Sequence, residues 1–99
     1  MAFKLKWSRT ARLDLWDMLA YIAESDPQSA ADFGSRLFDV IERLKTFPDS
    51  GRVVPELQDP DIREIVQKPC RIVYRVRRKD QCVEIARVWH AARGIPQLG

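Results

Sequence analysis

The sequence predicts an α+β domain: an N-terminal strand and an antiparallel two-helix hairpin packed on a mostly antiparallel four-stranded sheet, in the order β-α-α-β-β-β. Three observations carry this. Apolar residues recur at helical spacing from Ala11 to Leu44, interrupted once at Asp26-Pro27. Alternating apolar runs then fill Ile62 to His90: IREIV, CRIVYRV and CVEIARVWH. The last two flank the charged segment RRKDQ, which reads as a hairpin turn.

In chain order, Phe3-Lys4-Leu5-Lys6-Trp7 alternates apolar and basic residues, as a half-buried strand does. Ser8 or Thr10 is placed to cap a first helix, whose stripe is Ala11, Leu15, Met18/Leu19 and Ile22. Asp26-Pro27 restarts the chain: Asp caps, and Pro suits the first helical position because its missing N–H is not needed there. Ala30, Phe33, Leu37, Ile41 and Leu44 share one face of the second helix, and Gly34 lets the two helices approach. Phe47-Pro48 ends it. Residues 48–61, with three prolines and one glycine, read as an ordered loop anchored by Val53, Val54 and Leu57. The tail Gly94–Gly99 is expected to be mobile.

With an even hairpin turn, Ile72, Tyr74, Val76, Val83, Ile85 and Trp89 face the helices. Arg71, Arg75, Arg77, Glu84 and His90 then stand on the opposite side, around Val73, Ala86 and Val88. A bulge would exchange faces for part of the strand.

At 99 residues, 45% hydrophobic and 31% charged, the chain makes one domain, residues 1–99, with a modest core. No apolar run approaches the roughly 20 residues that span a bilayer, so no membrane role is expected. MAFKLKWSR has no apolar h-region, which makes a cytoplasmic location the expectation. Cys70 and Cys82 are the only cysteines; the hairpin register sets them too far apart to bridge, and no His/Cys cluster offers a metal site. No cofactor is expected. The net charge of +3 is uneven: residues 1–61 hold 8 basic and 11 acidic side chains, residues 62–99 hold 9 and 3. A basic end favours a polyanion or an acidic protein partner.

The segments FKLKWSRTARLDLWDMLAYI, LKTFPDSGR, VPEL, IREIVQKPCRIVYRV and VEIARVWHAARG, in this order and spacing, resemble the RelE/ParE family of type II toxin–antitoxin toxins over nearly the whole chain. The resemblance implies a growth-inhibiting toxin held in a hetero-oligomeric complex by a cognate antitoxin. It also implies one of two activities. ParE-like members inhibit DNA gyrase; RelE-like members are ribosome-dependent mRNA endoribonucleases.

Metal-free RNA cleavage needs a base for the 2′-OH, an acid for the leaving oxygen, and cations for the phosphorane charge. The Lys/Tyr version that the resemblance implies for some RelE-like enzymes is poorly matched, because WHAARGIPQLG contains neither residue. The Glu/Arg/His version points to Glu56, Arg63 and His90, although Ala91 stands where an aromatic residue is expected. Two of these have a plain alternative. His90 can cap the strand end, and Arg63 can pair with Glu64 or Glu84. Arg71, Arg75, Arg77 and Arg78, within eight residues, form either a solvated face or a docking patch. With Arg87, Trp89 and Arg93 added, the patch is the candidate partner-binding surface. The acidic helical hairpin would be repelled by ribosomal RNA, so gyrase is the favoured target, with ribosome and mRNA as the alternative.

Overall fold

The computed structural model describes residues 2–98. Its order is β1 (Lys4–Trp7), α1 (Arg9–Ser25), α2 (Pro27–Glu42) with a 3₁₀ turn at Arg43–Lys45, β2 (Arg52–Val53), β3 (Ile62–Gln67), β4 (Cys70–Arg77) and β5 (Cys82–His90), closed by a second 3₁₀ turn at Ala91–Arg93. The expected helices, hairpin and α+β class are all present. The sheet has five strands rather than four, in the order β1-β5-β4-β3-β2. The additional strand is the two-residue β2, formed where the loop's Arg52 and Val53 pair with Glu64 and Arg63 of β3. β1 runs parallel to β5, and the other pairings are antiparallel.

Capping chemistry fixes the helical hairpin. The Ser8 hydroxyl accepts from Ala11 N at 2.9 Å. Asp26 ends one helix and begins the next: its N–H donates to Ile22 O at 3.0 Å, while its carboxylate accepts from Gln28 N at 3.0 Å and the Ser29 hydroxyl at 2.8 Å. Pro27 follows at the first helical position. The hairpin lays Ala11, Met18, Phe33, Leu37, Ile41 and Leu44 against Ile72, Tyr74, Val76, Val83 and Ile85. No helix among the described residues is long and apolar enough to cross a membrane.

Two local features position everything on the sheet. The first is Gly51. A Cβ there would lie 2.6 Å from the Tyr74 hydroxyl oxygen and 2.7 Å from Glu64 O. The absent side chain lets the Tyr74 hydroxyl accept from Gly51 N at 2.9 Å and donate to Pro48 O at 2.8 Å. This pins the irregular loop to β4. The second is a bulge in β5. Tyr74 pairs with Ile85, but Val73 pairs with Arg87, leaving Ala86 without an opposite residue. It falls where β1 ends: Trp7 pairs with Ile85, then Ser8 N donates to Ile85 O and the Ser8 hydroxyl to Ala86 O.

The bulge exchanges faces for the upper half of β5. Val88 joins the core on the helix side, Arg87 and Trp89 stand on the open side, and Cys70 lies opposite His90 rather than Trp89. The placing of Trp89 against the helices, and of Val88 and His90 on the open side, is thereby corrected. Residues 82–85 keep the expected parity.

Candidate functional site

On the open side of the sheet, alternation presents Glu64 of β3, Arg71, Arg75 and Arg77 of β4, and Glu84, Arg87 and Trp89 of β5. Glu64 is only 1% exposed. Its carboxylate accepts from Arg52 Nε at 2.6 Å and, on its other oxygen, from Arg71 Nε. Arg71 also donates to both oxygens of Glu56, at 2.9 and 3.2 Å, and to Gly94 O at 3.3 Å. Two guanidiniums and two carboxylates thus form a neutral row, Arg52–Glu64–Arg71–Glu56. Arg71 holds the Glu56 carboxyl below its usual range, chiefly by hydrogen bonding. Arg71 in turn is held protonated, first by Glu56 and then by Glu64.

The neighbouring arginines follow the same rule. Arg77 Nη2 meets Glu84 at 3.0 Å. Arg78 binds Asp49 and Asp61 at 2.6 and 2.9 Å. Arg87 grips Asp14 of α1 through two bonds of 2.8 and 2.9 Å, stacks over Trp89 at 4.6 Å, and donates to Gln97 O at 2.8 Å. Asp14 also accepts from Val88 N at 3.1 Å, on the stretch of β5 edge that β1 has left. The Trp89 indole donates to Gly94 O at 3.1 Å. Residues 94–98 are therefore strapped across the open side by Arg71, Arg87 and Trp89, with Pro96 buried. Gly99 lies outside the described residues.

Arg63 does not pair with Glu64 or Glu84. It clamps the loop: Nε donates to Pro60 O and Nη1 to Gly51 O, both at 3.0 Å, with Asp49 Oδ1 3.4 Å from Nε. His90 lies on the helix side, in a cleft of about 450 Å³ with Asp14, Asp17, Met18, Tyr21, Val88 and Arg93. Its Nδ1 accepts from Ala92 N at 3.1 Å, which leaves the ring proton on Nε2. That bond is the strand-end cap considered as the plain alternative.

Glu56, Arg63 and His90 are not brought together. Arg63 sits opposite Tyr74 and His90 opposite Cys70, four residues apart along β4 and on strands either side of it. At strand spacing that is roughly 13 Å along the sheet and about 10 Å across it. Glu56 is engaged on the open side. Burial pushes the Cys70 thiol up to about 11, and both cysteines are free.

Sequence reasoning missed Glu64, the centre of the open side, and Asp14, which ties α1 to β5. Strand alternation alone could have placed Glu64 on the face of Arg71. Nothing local could have linked Asp14 to Arg87, 73 residues away.

A strand, a helical hairpin and a sheet bearing paired arginines define a small α+β fold. Residues 5–95 match the family described as ParE toxin of type II toxin–antitoxin system, parDE. Y4kP of Sinorhizobium fredii, which is named as a toxin on inference, is 33% identical over 97 residues, covering 96% of this chain and 95% of that protein. The chain belongs to the ParE toxin family and is a type II toxin–antitoxin toxin of the ParE/RelE group. Two solved structures share the fold. A chromosomal ParDE toxin–antitoxin system from P. aeruginosa superposes with a TM-score of 0.71 at 22% identity, covering 90% of this chain and 96% of that one. The RelBE2 toxin–antitoxin complex from Mycobacterium tuberculosis gives 0.64 at 19%, covering 91% and 99%.

Proposed function

We propose that this toxin arrests growth by binding DNA gyrase in the cytoplasm through its arginine-bearing open side and C-terminal segment. In this reading it breaks no bond in RNA, and a co-expressed antitoxin neutralises it in a hetero-oligomeric complex. The observation that supports this most is the dispersal of Glu56, Arg63 and His90. A metal-free nuclease needs base, acid and cations around one phosphate. Here Glu56 neutralises Arg71, Arg63 serves the loop's carbonyls, and His90 lies on the other side of the sheet. The family match, whose description names the parDE system, and the ParDE neighbour fit the same reading.

The residues proposed for partners are Arg71, Arg75, Arg77, Arg87 and Trp89 on the open side, with Arg93 apart from them in the helix-side cleft beside His90. Among these, Arg71, Arg87 and Trp89 hold the tail in place, while Arg77 and Arg93 are exposed. The test adds purified toxin to gyrase and relaxed plasmid, and separately to a translation extract charged with a labelled mRNA. Loss of supercoiling with intact message is expected. Cleaved message with unimpaired supercoiling would replace gyrase by the ribosome as the target.

A further inference from the structure

The face of the helical hairpin that points away from the sheet is apolar and uncovered. Trp16 of α1 is 73% exposed and Phe38 of α2 is 52% exposed. Two hollows lie beside them. One, of about 320 Å³, is lined by Trp16, Leu19, Ala20, Ala23, Ala30 and Ala31, with no charged residue among them. The other, of about 300 Å³, runs from Leu15 and Trp16 to Phe38 and Trp7, whose rings lie 6.2 Å apart. A contiguous exposed apolar face of this kind marks a place where another molecule binds. Its two ends carry opposite charge. Arg9 and Arg12 stand in the first turn of α1, Glu24 in the last, and Asp26 just beyond. That order opposes the helix dipole, which favours acids at the start and bases at the end. Among the described residues, Arg9, Arg12 and Glu24 have no ion-pair partner.

We propose that this face binds a second copy of the chain about a two-fold axis, with the two α1 helices antiparallel. Shape and charge both select a reversed copy. Trp16 and Ala23 lie two helical turns apart on one stripe, symmetric about Leu19 and Ala20. An axis at that midpoint sets each Trp16 over the alanine-lined hollow of the other copy. The same knob and hole are then used twice, as a self-complementary interface requires. The axis also lays the Arg9–Arg12 end of each α1 over the Glu24–Asp26 end of the other, which supplies the counter-charges that each lacks. A uniformly acidic partner would be repelled at one end of the face and a uniformly basic one at the other. The stacked hairpins form a four-helix layer between two sheets. The open side of each sheet is left free, so the inference does not depend on what that side binds.

Sedimentation equilibrium of the purified full chain over a concentration series tests this. The mass should rise with concentration from that of a monomer to twice that value. Trp16→Glu, at an exposed position, should stay monomeric with an unchanged far-ultraviolet dichroism spectrum. Charge reversal gives a second arm that leaves the apolar face intact. Arg12→Glu and Glu24→Arg should each raise the dimer Kd at least tenfold, because each sets like charges against one another across the axis. Mixed in equal amounts, the two variants should associate with the affinity of the parent or better, since opposite charges then meet at both ends. A monomer at every concentration, a dimer that survives Trp16→Glu, or charge-reversed variants that fail to rescue each other would overturn the proposal. So would a monomeric parent whose binding of purified antitoxin is lost in Trp16→Glu, which would assign the face to the antitoxin instead.

Discussion

Glu64 accepts from Arg52 and Arg71 while almost wholly buried, so its removal takes from Arg71 its buried partner and leaves it only the exposed Glu56. Breaking one partner of a buried ion pair costs about 3–5 kcal/mol, a large share of the ~5–15 kcal/mol that holds a small domain together. Glu64→Leu should therefore lower the urea midpoint severely, and Glu64→Gln, which still accepts hydrogen bonds, much less. Glu56 differs because water reaches it, and its effect appears in pH dependence. Arg71 depresses its folded-state pKa below the ordinary 4.5. The stability this pair adds is thus fully present above pH 4.5 and drains away as pH falls through the lower folded value. Urea midpoints at pH 7 and pH 3 should show Glu56→Gln losing less on acidification than the parent. Gly51→Ala forces a methyl onto the Tyr74 hydroxyl and a β3 carbonyl. A loss of about 1–3 kcal/mol is expected by equilibrium unfolding. Tyr74→Phe, which unpairs a loop N–H and a carbonyl, should cost a similar amount.

At the scale of elements, the bulge at Ala86 sets which side chains meet the helices and which meet a partner. Deleting Ala86 would restore an even register, drive Trp89 toward the core and turn Val88 outward. The variant should fail to unfold cooperatively, which a thermal melt followed by near-ultraviolet dichroism would reveal. Ser8→Ala should be milder. It loses the α1 cap and the bond to the bulged carbonyl, at about 1–2 kcal/mol. The helices, their break at Asp26-Pro27 and the lower hairpin were legible in the sequence because caps, proline and alternation act within a few residues. The bulge was not, because it depends on where β1, 78 residues earlier, leaves the edge of β5. β2 was not legible either, since two residues carry no period.

Across the whole molecule, the division of charge along the chain disappears in space. The basic C-terminal third is threaded with carboxylates from distant segments: Asp14, Asp49 and Asp61. The density of arginines was legible; which of them remain available was not, because each pairing joins residues far apart in sequence. The resulting surface is largely a lattice of ion pairs, in which Arg75 and Arg93 have no carboxylate partner among the described residues; under the proposed function it docks on a protein. The measurement that bears most directly on this is gyrase supercoiling of relaxed plasmid, run with wild-type toxin and His90→Ala at matched concentrations. Message integrity in a translation extract is read alongside. Equal inhibition by both proteins, with message intact, is the expected result. Unimpaired supercoiling together with message cleavage that His90→Ala abolishes would contradict it.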